Sequence, residues 1–194
     1  DVPLPPPPAG TRLERRGATL GLAVGPWAGF GTGKSIAAHL DYGFPRTPAG
    51  WSRFELEYRL AVMVSHPSQD TTLSRATVPP FGQMDVGVKE TRVWLFEAVP
   101  TARLRFPVGP TFALLADGGL GLAQTLERYE SEETFVGHTV KTRNVTGLVV
   151  RVGAGASLDV GERLRIVFLP VALSLQLGPG YGGYTPSLGI AYRM

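Results

Sequence analysis

Residues 51–64, WSRFELEYRLAVMV, alternate strictly between two kinds of side chain. Phe54, Leu56, Tyr58, Leu60, Val62 and Val64 fall on one face; Arg53, Glu55, Glu57, Arg59, Ala61 and Met63 fall on the other. A period of two is the mark of a β-strand with one apolar and one polar face. The run is also long. A globular strand has about 5–6 residues, whereas a strand crossing a bilayer needs roughly 9–11. The polar face carries both charge signs, so its members can pair locally or across strands. This stretch therefore reads as one stave of a transmembrane barrel, and the rest of the chain should repeat its pattern.

It does. A first strand over 18–27 sets Leu20, Leu22 and Val24 against Thr19, Gly21 and Ala23, and a second over 35–44 sets Ile36, Leu40, Tyr42 and Phe44 against Ala37, His39 and Asp41. Further strands are expected over 92–106, 111–125, 145–158, 163–177 and 185–194, giving eight in all. The faces of the seventh strand are not assignable, because its alternation blurs after Ile166. Short turns such as Pro107–Pro110 alternate with longer connections. The stretches 66–91 and 126–144 read as two long polar loops, the first of which could extend its hairpin beyond the membrane. That rhythm of short turns and long loops belongs to up-and-down membrane barrels. Charged residues make up 18% of the chain, below the roughly 25% of a soluble domain. Gly at 25 and Pro at 17 favour turns over helices, and no apolar run is long enough for a membrane helix. Residues 1–16 begin with DVPLPPPP and should form an extended segment outside a 17–194 barrel domain. The chain opens on Asp1, as a processed mature form would.

Alternation alone leaves open which face is wet, since a soluble lipocalin-like barrel also alternates. Three features favour apolar-out. Phe44, Trp51, Phe54, Phe106 and Phe112 crowd the short-turn ends, as an interfacial girdle would, while Trp94 and Phe96 stand toward the opposite end. The polar face is rich in Gly, Ala and Ser, which suits a narrow interior. The apolar face carries no charge over ten or more residues in strands three to six. Pro100 and Pro170 fall mid-strand and are read as bulges or kinks. The expected fold is all-β: an eight-stranded antiparallel up-and-down transmembrane β-barrel.

The pattern over 18–194 resembles the small eight-stranded outer-membrane barrels of the OmpA and OmpW type. The most specific piece is the last strand, where Ser187, Gly189, Ile190 and Tyr192 resemble the signal that the barrel-assembly machinery reads; the family ends in Phe, whereas this chain ends in Met194. The resemblance implies a bacterial outer-membrane location with both termini periplasmic, and outer-membrane lipids and the assembly machinery as partners. It implies a role as anchor, binding protein, conduit, lipid-modifying enzyme or envelope subunit, without choosing among them.

The lumen is expected to hold Arg53, Glu55, Glu57, Arg59, Glu97, Arg103, Arg105, Asp117 and Arg151 as a plug of ion pairs, because charges in a low-dielectric interior must be paired. No catalytic set, cofactor or metal site is expected. His39 and Asp41 share a face and could form an acid–base pair, but they read better as lumen filling, and no Ser–His pairing resembles the lipid A deacylases of this fold. His66 and His138 stand in separate loops, and the chain has no Cys. Residues 28–35, AGFGTGKS, match a relaxed phosphate-binding loop around Lys34, but such a loop must open a helix, and IAAHLDYGFP alternates as a strand. A net charge of +3 is too small and dispersed for nucleic acid. Function is expected in the long loops or in the proline-rich segment reaching an envelope partner.

Overall fold

The computed structural model describes residues 17–29, 33–47, 53–70, 74–78, 82–133, 137–177 and 182–194. Segment 1–16 and Trp51 lie outside the described residues. Every regular element is a strand: β1 (Thr19–Gly29), β2 (Gly33–Pro45), β3 (Glu55–Ser65), β4 (Ser68–Asp70), β5 (Ser74–Val78), β6 (Gly82–Pro107), β7 (Phe112–Glu133), β8 (Gly137–Val160), β9 (Leu164–Leu177), β10 (Gly182–Tyr184) and β11 (Ser187–Arg193). Neighbours pair antiparallel in chain order, and β11 closes on β1. Pro67 interrupts one stave between β3 and β4, and Pro186 another between β10 and β11, with register kept against β6 and β1 respectively. Eight staves result. Closure leaves no sheet edge, the condition for placing strands in hydrocarbon.

The apolar face points outward. Ile36 is 75% exposed, Val24 60% and Leu122 57%, whereas the alternate residues Ala37, Met63 and Val149 are fully enclosed. The soluble, polar-out arrangement does not hold. A continuous apolar wall of this kind is the lipid-facing surface of a membrane barrel.

Two expectations about connections are corrected. Residues 66–91 and 126–144 are not mainly loops. β6, β7 and β8 run for 26, 22 and 24 residues, about twice what a crossing needs. Leu126 through Glu133 pair one by one with Asn144 through Gly137. Residues 140–144 of β8 are exposed on both faces, so the apolar period disappears there while the backbone ladder continues.

The prolines act as the sequence suggests, by two different means. At Pro170 the register of β8 against β9 shifts, a β-bulge that sets two residues against Gly155. The inward set on β9 changes from Arg165, Val167 and Leu169 to Ala172, Ser174 and Gln176. That parity change is why the strand's faces cannot be read from a fixed period. At Pro100 the register against β7 is kept, but the Val99 and Pro100 rungs drop out. Gly119 and Gly121 let the two backbones close over the gap: a Cβ on Gly121 would stand 2.2 Å from the Ala98 carbonyl oxygen.

Candidate functional site

The barrel interior is divided into two zones. Toward the short turns ion pairs stand beside a small apolar cluster of Leu115, Val167, Leu169 and Ala191. Inward positions on β2, β3, β6, β7, β8 and β9 supply Asp41, Arg59, Arg103, Asp117, Arg105, Asp159 and Arg165. Arg103 donates from Nε to Asp117 Oδ1 at 2.6 Å and from Nη2 to Oδ2, a two-point pairing across neighbouring strands. Arg59 meets Asp41 at 3.0 Å. Arg105 bridges two carboxylates, Glu55 at 2.7 Å and Asp159, and Arg165 meets Asp159 at 2.9 Å. Glu57 accepts from Thr19 Oγ1 and lies 3.8 Å from Arg165. Ser174 donates to Glu97 at 2.9 Å. Arg151 donates to His39 Nδ1 at 3.1 Å, which leaves the imidazole proton on Nε2.

Toward the long hairpins an apolar cluster sits among the buried polar side chains Glu97, Thr125, Glu127 and Gln176. Trp27, Ala37, Met63, Leu95, Val99, Ala123 and Val149 pack into one cluster, with Trp27 only 1% exposed. Eight staves leave an interior just filled by side chains, and here the filling changes chemistry partway along. The buried side-chain atoms without a protein partner among the described residues are Trp27 Nε1, His39 Nε2, Arg59 Nε, Arg151 Nη1, Gln176 Nε2 and Thr185 Oγ1. All are donors when His39 carries its proton on Nε2 and Thr185 offers its hydroxyl. His39, Arg59 and Arg151 line a shared cavity of about 20 Å³, room for a single water that would accept from them. The interior is thus lined by paired charges and packed side chains around one small cavity.

Of the expected lumen set, Glu55, Glu57, Arg59, Glu97, Arg103, Arg105, Asp117 and Arg151 occupy this interior, with Glu55 at its mouth. Arg53 does not. It is exposed in the turn before β3, because the strand begins only at Glu55. His39 and Asp41 do not bond each other; they serve Arg151 and Arg59. Asp159, Arg165 and Trp27 were not anticipated inside. Asp159 reads as turn in the sequence, yet it keeps the odd-numbered parity of Arg151 and Ser157 on β8, which was a usable signal. Arg165 was hidden by the blurred alternation of its strand. Trp27 keeps the odd-numbered parity of Thr19, Gly21 and Ala23 on β1, which was its signal.

Aromatic side chains mark both ends of the wall. Phe44 packs edge-on to Tyr42 at 6.3 Å and Phe54 to Phe106 at 5.6 Å, with Phe112 exposed nearby on the same short-turn side. At the other end Trp94 stacks on His66 at 4.2 Å and on Phe96 at 6.2 Å. In the closing strand, Ser187 and Gly189 face inward while Ile190 and Tyr192 face outward. Residues 28–29 and 33–35 are the two arms of the β1–β2 hairpin, so Lys34 lies on a strand and not at a helix start. Among the described residues no three His, Cys, Asp or Glu side chains gather as a metal site.

No protein-family model matches the chain, and no curated protein matches it in sequence. Solved structures do match in fold. The attachment invasion locus protein Ail of Yersinia pestis, solved with the heparin analogue sucrose octasulfate, is 11% identical over 92% of this chain and 99% of its own, with a TM-score of 0.53. The chain shares the fold of the small outer-membrane β-barrels. Neisserial surface protein A is 11% identical over 91% of this chain and 96% of its own, at a TM-score of 0.52. The outer-membrane enzyme PagL is 15% identical over 89% and 97%, at 0.53. These similarities bear on architecture.

Proposed function

We propose that this chain is a bacterial outer-membrane barrel that works as a membrane-anchored binding or structural subunit of the cell envelope. The observation that carries the reading is the filled lumen combined with the tall hairpins. A barrel whose interior is occupied by ion pairs at one end and by the Trp27 cluster at the other is suited to anchoring. Its long strands then hold a presentation surface. Among the described outward positions on β6, the apolar run Phe96 and Trp94 gives way to Arg92, and in this reading residues 82–92 stand beyond the hydrocarbon. At about 3.4 Å per residue such a run reaches roughly 40 Å along the strand. Ordered strands fix the geometry of such a surface better than flexible loops do. In this reading both termini are periplasmic, the proline-rich segment 1–16 reaches an envelope partner, and the assembly machinery reads Ser187, Gly189, Ile190 and Tyr192.

The test is cell fractionation with heat-modifiable gel migration, followed by planar-bilayer conductance. A compact unboiled species in the outer-membrane fraction, with no steady conductance, is the expected result. Stable open channels would replace the anchor by a conduit. A lipid-modifying role through His39 would require activity on membrane lipid that disappears in His39→Gln while the compact species is retained.

A further inference from the structure

Inside the lumen, Arg151 on β8 differs from the guanidinium groups around it. Arg103 is held by Asp117, and Arg59 by Asp41. Among the described residues Arg151 has no carboxylate partner; it donates to a neutral acceptor, His39 Nδ1, at 3.1 Å. Glu97 and Asp117 lie near enough to feel its charge, but their hydrogen bonds come from Ser174 and Arg103. The cavity of about 20 Å³ opens among His39, Asp41, Arg59, Arg103, Asp117 and Arg151. Three guanidinium groups there face two carboxylates, an excess of one positive charge beside a neutral imidazole. Three N–H groups on this wall have no protein acceptor among the described residues: His39 Nε2, Arg59 Nε and Arg151 Nη1. Their side chains come from three different strands and are 3%, 5% and 7% exposed. Gly21 on β1 also lines the cavity, and a Cβ there would stand 3.4 Å from Arg59 Nη2, so glycine preserves the space.

We propose that this cavity is a binding site for one monatomic, monovalent anion of the halide class, held by the N–H groups of His39, Arg59 and Arg151. A buried guanidinium without a counter-charge is costly, and so is a buried donor without an acceptor. A single water has two lone pairs and no charge. It can serve two of the three donors, and it leaves the excess charge in place. A halide accepts from every N–H that reaches it and cancels that excess. The volume suits a single-centre ion and is too small for phosphate or an organic acid. The two carboxylates on the wall weigh against a divalent anion, which would turn the local balance negative. A cation is disfavoured because all three unpartnered atoms are donors. The inference goes beyond the anchor reading: it concerns how the lumen is filled, and it holds for an anchor or a conduit.

The test follows the urea midpoint of the full chain, refolded into detergent micelles in mixtures of sodium chloride and sodium gluconate held at one ionic strength. Gluconate is too large for the cavity. The midpoint should rise as chloride replaces gluconate. Once chloride exceeds its dissociation constant, each tenfold rise should increase the folded-to-unfolded ratio about tenfold. Arg151→Leu should abolish this dependence, and Arg163→Gln, exposed at the short-turn end, should keep it. Crystals of the unaltered barrel grown in sodium bromide should show an anomalous scattering peak within hydrogen-bond reach of His39 Nε2, a readout that needs no variant to fold. Equal midpoints in chloride and gluconate overturn the proposal. So does an Arg151→Leu barrel that retains the full chloride dependence. A bromide-grown crystal with only water in the cavity, or with bromide confined to the outer surface, overturns it as well.

Discussion

The two halves of the lumen fill a narrow barrel with different main chemistry. The short-turn half does so with guanidinium and carboxylate groups whose partners come from strands distant in sequence, as in Arg105 with Glu55 and Asp159. The long-hairpin half does so largely with the cluster that holds Trp27, Met63 and Val99. Ion pairs are directional and unforgiving of a lost partner, because a single buried charge has no solvent to turn to. Apolar packing is tolerant in direction but sensitive to volume. On the proposed anchor reading, the ionic half specifies register around the barrel and the Trp27 cluster seals it.

The largest effect should come from breaking one pair. Arg103→Leu leaves Asp117 without its two-point partner and should cost about 3–5 kcal/mol, read from urea midpoints of the refolded barrel. Removing both charges, Arg103→Leu with Asp117→Leu, should recover most of that loss. A double variant as weak as the single one would mean that the ionic half is not organised in pairs. Trp27→Ala comes next, at roughly 3 kcal/mol. The truncation opens a void, but it also removes an indole N–H that has no protein partner, which offsets part of the cost. This variant alone should raise bilayer conductance, since it unseals the apolar half; unchanged conductance would place the seal elsewhere.

Smaller effects distinguish the stiffness of the two halves. A Cβ on Gly183 would lie 2.6 Å from the Trp27 ring, whereas a Cβ on Gly43 would lie 2.6 Å from Glu57 Oε1, the far end of a flexible side chain. Gly183→Ala should therefore cost about 1–3 kcal/mol by overpacking, and Gly43→Ala less. The reverse order would show that the ionic network is the more rigid half. Ser174→Ala removes the hydroxyl that donates to Glu97. It should cost about 1–2 kcal/mol in the same urea measurement.

Much of the wall was legible in the sequence, because the environment of a membrane barrel imposes a period of two wherever one face meets lipid. Phe44, Phe106, Phe112 and Trp94 lie outward on the wall at the ends where their spacing puts them, and Pro170 marks a bulge. Legibility failed where that one-sided environment ends. On β8, residues 140–144 are exposed on both faces while still paired with β7, so paired strand there reads as loop. Beyond Pro170 the bulge shifts the inward set by one residue, so the seventh strand had no readable face. Arg53 has the right residue type and parity for the lumen but falls before the strand starts.

By itself, then, the sequence determined the architecture: which residues alternate, how long each crossing is, and which side chains mark the ends of the wall. These are local properties, set by side-chain chemistry against two solvents. Only the tertiary structure decided that Asp159 joins Arg105 and Arg165, and that Trp27 joins Met63 and Val99 in one apolar cluster. Those depend on the stagger with which eight strands close, and the pairing of distant strands is a property of the closed ring rather than of any stretch of chain.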